Sequence, residues 1–341
     1  MAAIAAQPDE DIHAWRHFVR DLAVTAATLF VAGILFLLAV DPYDSGRTAL
    51  VHRQGLHDQF PYTANASRAR DPRFDAAILG NSHIQPLRPE RLDAQTGARF
   101  VSLIMPAIYT QDILDVLRWY LVAHPGPPRA LVVGLDHFWC MPTMTNNELR
   151  FPRWLYAPSF LRYLEGLVRW RSFEAAQARI AYLLTGKKGI RPDGYWYYGP
   201  IYAQQGLDRP ERSYPKLAED KPFPENPARA FPALDRLGEE LASVPASTPI
   251  VLVRTPVYRT ALPKPGTEGD RTSNACATRM EAVASARPRT VFLDLVKPGP
   301  DADDRDNFYD HDHYRDRLSV EIERTVAEAL RRIGIPPAAG S

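Results

Sequence analysis

Three short stretches of this 341-residue chain gather side chains fit for nucleophilic chemistry. Gly80-Asn81-Ser82-His83 follows one apolar run and Asp136-His137 follows another. Asn307-Phe308-Tyr309-Asp310-His311-Asp312-His313-Tyr314 comes after the last such run. Between them they supply a hydroxyl, imidazoles and carboxylates. Acyl transfer uses that set: the hydroxyl attacks, an imidazole takes its proton, and a carboxylate fixes the imidazole tautomer and stabilises its charge. Each stretch also has a plainer reading. A serine in a Gly-x-Ser turn commonly caps the next helix. Asp136 suits a helix N-cap or a supporting hydrogen bond, and an Asp-x-x-His match arises easily in so Asp-rich a stretch. Asp310 to His313, reinforced by Asp136 and His137, also invites a metal reading, but no His-x-x-x-His helix or other spaced ligand set supports it. The expectation is therefore no metal and no cofactor, with His83 and His311 as rim or structural histidines.

Five apolar runs must position these residues: Asp75–Gly80, Phe100–Met105, Ala130–Leu135, Ile250–Arg254 and Thr290–Leu295. Most are continuous rather than alternating, as strands covered on both faces require. Helical patterns lie between them. Gln111–Ala123 puts Ile113, Val116, Leu117 and Tyr120 on one face, and Pro227–Ser243 does the same with Phe231, Leu234, Leu237 and Leu241. Arg315–Ile333 closes the chain with Leu318, Ile322, Val326 and Leu330. The order β-α-β-α-β, an insertion, then α-β-α-β-α predicts an α/β fold with a doubly wound, five-stranded parallel sheet. Such sheets bind ligands beyond the carboxyl ends of their strands, where all three reactive stretches fall. The insertion spans about 141–226. It opens with a helix pair, Phe160–Trp170 and Ser172–Leu184, and continues into the aromatic segment Asp193–Tyr202. Arg209–Pro227 and Pro263–Asp270 read as loops. Most rings of the aromatic segment are expected to fasten the insertion to the sheet, with Trp196 and Tyr198 as candidate contacts for a sugar ring.

On these residues the chain resembles the SGNH (GDSL-like) hydrolases, over roughly residues 75–330. In that superfamily the nucleophile sits in a Gly-x-Ser turn after the first strand, and the acid and base sit in an Asp-x-x-His motif after the last. Gly80-Asn81-Ser82 and Asp310-x-x-His313 match. The resemblance implies a flavodoxin-like SGNH sheet, with Ser82 as nucleophile, His313 as base and Asp310 as orienting carboxylate. It looks nearest to membrane-anchored bacterial relatives that carry ILGxS, GLDxFW and YDxxHY blocks, here Ile78–Ser82, Gly134–Trp139 and Tyr309–Tyr314. Some relatives of that kind add or remove acyl groups on envelope polysaccharides. The oxyanion hole departs from the pattern. The Ser82 N–H survives, but Pro106 has no N–H to give, which leaves Ala107, and Asp136 stands where the superfamily places an asparagine. An ionised Asp136 would repel the oxyanion. A protonated Asp136 would not, His137 or Asn81 could substitute, or activity could be low. Loss of one such donor costs on the order of 10²–10³ in rate.

Leu22–Val40 carries no charge and no proline. At about 1.5 Å per residue it just crosses a hydrocarbon core of about 30 Å. It reads as an uncleaved signal anchor, since the chain runs directly into Asp41-Pro42 without a small-x-small cleavage site. Arg16 and Arg20 precede it and Arg47 and Arg53 follow, nearly a tie. The closeness of Arg20 favours an inside N-terminus and a periplasmic body. The expected organisation is a polar segment 1–21, an anchor 22–40, a linker 41–74 and an SGNH-like domain 75–335. With 45% apolar and 24% charged residues the chain is globular. A net charge of +1 and the lack of any Lys/Arg block exclude nucleic acid as an expected partner. Cys140 and Cys276 are too few for a disulfide scaffold and read equally as one bridge or two buried thiols. The function expected is a membrane-anchored serine esterase or O-acyltransferase of an envelope or secreted polysaccharide. Its partners would be the bilayer, a glycan or acylated small substrate, and an integral-membrane acyl-transfer or polysaccharide-export protein. The alternative is a catalytically silent accessory or assembly protein of the same fold.

Overall fold

The computed structural model describes residues 8–48, 50, 55–56, 61–145, 151–186 and 191–335; Arg53, one of the flanking cations, lies outside them. In chain order the elements are α1 (Pro8–Val40), α2 (Pro61–Arg68), β1 (Ala76–Leu79), α3 (Pro89–Thr96), β2 (Phe100–Ser102), α4 (Thr110–Ala123) and β3 (Ala130–Leu135). The insertion adds α5 (Arg153–Tyr156), α6 (Phe160–Leu167), α7 (Trp170–Thr185), α8 (Gly199–Gln204) and α9 (Pro210–Ala218). Then come α10 (Pro232–Ala242), β4 (Ile250–Arg254), α11 (Glu268–Ser285), β5 (Thr290–Asp294), α12 (Pro300–Asp303) and α13 (Asp316–Arg332). The five strands form one sheet in the order β2-β1-β3-β4-β5, every pair parallel. This is the doubly wound α/β architecture expected from the continuous apolar runs.

Alternation along the strands divides the core. Ala77, Leu79, Leu131, Val133 and Leu252 face one layer with α4, α10 and α11. Ala76, Ile78, Val132, Val251 and Val253 face the other, with Leu92 of α3 and Leu318, Ile322, Val326 and Leu330 of α13. The free edge of β2 is covered by the insertion, where the Ser102 N–H donates to the Asp193 carbonyl at 2.7 Å. That pairing removes an exposed edge.

Two loop expectations change. Arg209–Pro227 contains α9, which starts at a proline in the first turn and buries Leu217; a short helix with one buried leucine carries little periodicity to read. Pro263–Asp270 overlaps the start of α11, where the Thr267 hydroxyl caps the Asp270 N–H at 3.1 Å. In the helix pair, α6 stops at Leu167 and α7 begins at Trp170.

The N-terminal helix is long and apolar enough to cross a membrane. The qualifying segment is Ile12–Val40, and only 6% of its most apolar stretch is buried, so it is not a core helix of the body. The described part of segment 41–74, read as a linker, is fastened to the body. The buried Asp41 carboxylate accepts from the Ser45 N–H (2.9 Å), the Ser45 hydroxyl (2.9 Å) and the Gly46 N–H (2.7 Å). Asp44, also buried, pairs with Arg70 at 3.1 Å and with Arg179 of α7 at 3.0 Å.

Cys140 and Cys276 form a disulfide, with Cα atoms 5.4 Å apart. It ties the entry of the insertion to α11. The exit is tied to the same helix by the Asn226 N–H, which donates to the Thr272 hydroxyl at 2.9 Å. Cysteines 136 residues apart in sequence close a long loop. A Cys140→Ser/Cys276→Ser protein is expected to lose about 2–4 kcal/mol of unfolding free energy relative to the oxidised protein. Urea titration reads the difference, and coincident midpoints would show that the bridge carries no stability.

Candidate active site

The turn after β1 places Ser82. Gly80 has φ +151°, and a Cβ there would lie 2.6 Å from Ile84 Cγ2. Gly134 of β3 is pressed by the same side chain, where a Cβ would lie 2.7 Å from Ile84 Cγ2. Two glycines thus let Ile84 wedge between the ends of β1 and β3, which fixes the short 3₁₀ turn Ser82–Ile84. Asn81, not Ser82, caps that turn: its Oδ1 accepts from the His83 N–H at 3.1 Å. The Ser82 hydroxyl is left for a tertiary partner.

That partner is His313. Ser82 Oγ lies 2.8 Å from His313 Nε2, and His313 Nδ1 lies 2.8 Å from Asp310 Oδ1. With Nδ1–H donating to the carboxylate, Nε2 is free to accept from the serine hydroxyl. The loop carrying both residues is self-bracing. Asp310 Oδ1 also accepts from the backbone N–H groups of Asp312 and His313, each at 3.0 Å. The Tyr309 N–H donates to the His313 carbonyl at 2.8 Å, and Phe308 and Tyr314 form an antiparallel bridge. Burial alone would raise the Asp310 carboxyl, but the His313 ring and those two N–H groups hold it well below the usual carboxylate range.

The residues around the expected oxyanion hole divide. Asp136 is buried and caps the turn after β3, its Oδ1 accepting from the Phe138 N–H at 2.8 Å. Its Oδ2 receives the Asn81 side-chain amide and lies 3.0 Å from His83 Nδ1. Burial acts against both charges of this pair. The mutual hydrogen bond and attraction nevertheless raise His83 and lower Asp136. The lowering of Asp136 runs against its protonated form, and the Asn81 amide is spent on Asp136. His137 is pushed down chiefly by burial, despite Asp136, and its ring lies 5.6 Å from that of His83. Ala107 is exposed, in the left-handed region at φ +52°, a strained conformation for alanine. Among the described residues neither the Ser82 nor the Ala107 N–H has a protein acceptor.

The aromatic segment closes over the other side of His313. Tyr198 does not offer a face to a sugar. It is buried, its hydroxyl donates to the Tyr314 carbonyl at 2.7 Å, and its ring meets His313 edge-on at 5.6 Å. A buried phenol finds a backbone acceptor for its polar tip, which is the fastening role. Trp196 is half-buried, and its carbonyl accepts from Gln85 at 2.7 Å. The half-buried ring beside the histidine is instead Tyr202, 5.4 Å from His313 and stacked on Tyr309 at 4.8 Å. Its only signal in sequence is membership of the same aromatic segment. His311 is structural: its Nε2 lies 2.8 Å from the Glu219 carbonyl just past α9. Among the described residues no group of three or more His, Cys, Asp or Glu side chains is placed to hold a metal ion. A cavity of about 730 Å³ lies alongside, with Tyr109, Phe138 and Phe223 among its walls. His83 and Asp312, the chain neighbours of Ser82 and His313, are on its polar side.

In comparisons with known proteins, no family model matches the chain and no curated protein gives a significant match.

The His83–Asp136 pair sets a pH dependence. His83, raised, contributes stability that is full below the ordinary imidazole value of 6.5 and is lost as pH rises through its folded pKa. Asp136, lowered, contributes stability present above 3.8 and lost as pH falls through its own. An NMR titration of the imidazoles is expected to place the His83 midpoint above 6.5 and to move it down in Asp136→Asn, where only the charges of Asp312 and Asp310 still oppose burial. A midpoint that Asp136→Asn leaves unmoved would dissolve the pair.

Proposed function

We propose that this chain is a membrane-anchored serine esterase or O-acyltransferase of SGNH type. Its substrates would be the O-acyl groups of a cell-envelope or secreted polysaccharide. The observation that carries this reading is the hydrogen-bonded line Ser82 Oγ–His313 Nε2, His313 Nδ1–Asp310 Oδ1, both at 2.8 Å. A nucleophile touching its base, with the base oriented by a carboxylate, is the geometry that covalent acyl transfer needs. In this reading Ser82 Oγ forms a bond to the acyl carbon as its proton passes to His313 Nε2. The tetrahedral intermediate collapses, and the sugar oxygen leaves with that proton. Water or an acceptor hydroxyl, deprotonated by the same nitrogen, then releases the acyl group and restores Ser82. Asp310 keeps the imidazolium stable throughout. The Ser82 and Ala107 N–H groups are the donors available to the oxyanion.

Residues 12–40 supply the tether, through a lipid bilayer. The Cys140–Cys276 bridge suits an oxidising compartment and so supports an extracytoplasmic, periplasmic body. A glycan or a small acylated donor is the ligand, and an integral-membrane acyl-transfer or polysaccharide-export protein is the partner from which an acyl group would arrive.

A second reading, a catalytically silent accessory protein of the same fold, draws on one observation. The residue at the position of the third oxyanion donor is an ionised Asp136 tied up by His83, Asn81 and Phe138. A serine-directed fluorophosphonate probe separates the readings. The enzyme reading expects labelling of the detergent-solubilised protein that disappears in Ser82→Ala and His313→Ala. It also expects Asp310→Asn to slow ester turnover by up to about 10⁴, with circular dichroism unchanged in all three. An unlabelled, folded wild-type protein would transfer the case to the accessory reading.

A further inference from the structure

We infer that helices α6 and α7 present a membrane-resting face. The soluble body would then sit directly on the headgroup layer of the leaflet that α1 enters, rather than swing on a slack tether. The inference rests on the membrane reading of α1 given above.

The first observation is where α1 stops being free. Val31, Leu35 and Phe36 are 52%, 60% and 42% exposed, whereas Leu37 is 1% exposed and Leu38 and Val40 pack against the core of the body. Within little more than one turn the helix passes from bare apolar surface to protein-covered surface. Bare apolar side chains are covered by lipid in the membrane reading, so the lipid edge falls at this turn. No slack follows, because Asp41 and Asp44 are held in the buried networks described above.

The second observation is what touches α1 at that turn. Gly33 has no side chain, and a Cβ there would lie 3.3 Å from the Phe173 ring. Phe36 stacks on the same ring at 6.4 Å. Phe173 belongs to α7 and lies 6.3 Å from Trp170, one turn earlier on the same helix face. Contact is therefore continuous from the lipid-level part of α1 through Phe173 to Trp170. Trp170 is 76% exposed. Just before it in the chain, at the start of α6, Leu161 is 70% exposed and Phe160 is also exposed.

The third observation is composition. Arg162, Arg169 and Arg171 are exposed on the same short stretch, with Glu165 and Glu174 among them, a net positive edge. The Arg169 guanidinium sits over the Trp154 ring at 4.8 Å, its stem covering apolar surface. Exposed tryptophan, phenylalanine and leucine interleaved with arginine is what the boundary between acyl chains and anionic headgroups selects: rings seat among the headgroups while guanidinium groups reach phosphate. In water the same residues form an exposed apolar patch with no role. The occupant is therefore the lipid boundary.

Site-directed spin labelling of the full chain tests this in vesicles of phosphatidylcholine and phosphatidylglycerol. The native cysteines are paired and take no label. Four single variants are compared: Val31→Cys in α1, Leu161→Cys, Trp170→Cys, and Val320→Cys, exposed on α13 in the opposite layer. The readout is the ratio of collisions with oxygen to collisions with a water-soluble nickel chelate. The expected result is the highest ratio at Val31, an aqueous ratio at Val320, and ratios at Leu161 and Trp170 several-fold above that of Val320. If Val31 is lipid-exposed while Leu161 and Trp170 match Val320, the resting face is refuted and the anchor stands. If both positions are shielded from both reagents, protein rather than lipid covers them and the proposal fails. An aqueous Val31 would overturn the membrane reading itself, and the resting face with it.

Discussion

The hydrogen bond between Ser82 and His313 joins side chains 231 positions apart in sequence, and each end is placed only as well as the strand that delivers it. Parallel pairing is what makes this possible. With β1, β3, β4 and β5 all running the same way, every strand releases its following segment at the same rim. At one end Ile84 locks the serine turn between Gly80 and Gly134. At the other, the Phe308–Tyr314 bridge and the Asp310 side chain close the histidine loop on itself. Neither side chain relies on the other for its position. The bond between them follows from two independently stiff supports.

The strands were legible in the sequence because burial leaves mostly apolar residues in β1 to β4, and the reactive stretches were legible because they follow those runs. The line through Ser82, His313 and Asp310 was an expectation of the resemblance carried by Gly80–Ser82 and Asp310–His313, with strand order putting both stretches at one rim. What was not legible depends on contacts between distant segments. Nothing in the spacing of His83 and Asp136 announces an ion pair, since one follows β1 and the other β3 and only the pairing of those strands brings them together. Tyr198 and Tyr202 are one helical turn apart and equally aromatic. Which is buried depends on the backbone carbonyl of Tyr314, which accepts from Tyr198. The segment after α1 reads as a linker because its aspartates look like solvent-exposed polar residues. The arginines and serines that bury them come from α2, α7 and the segment itself.

The same pairing bears on the oxyanion hole of the proposed enzyme. A lone carboxylate at position 136 would oppose the negative charge of a tetrahedral intermediate. In the fold it is hydrogen-bonded to His83, which directly follows Ser82 and holds its ring 4.9 Å from that of His313. A protonated His83 offsets part of the field of the carboxylate beside it. In the proposed reaction the electrostatic cost of Asp136 would then be smaller than its charge alone suggests, and what is missing is one hydrogen-bond donor. The two backbone donors that remain, at Ser82 and Ala107, belong to turns fixed by the sheet. In the proposed enzyme such a site would keep Ser82, His313 and Asp310 in line and forgo one oxyanion donor for a buried His83–Asp136 pair that braces the two strand ends.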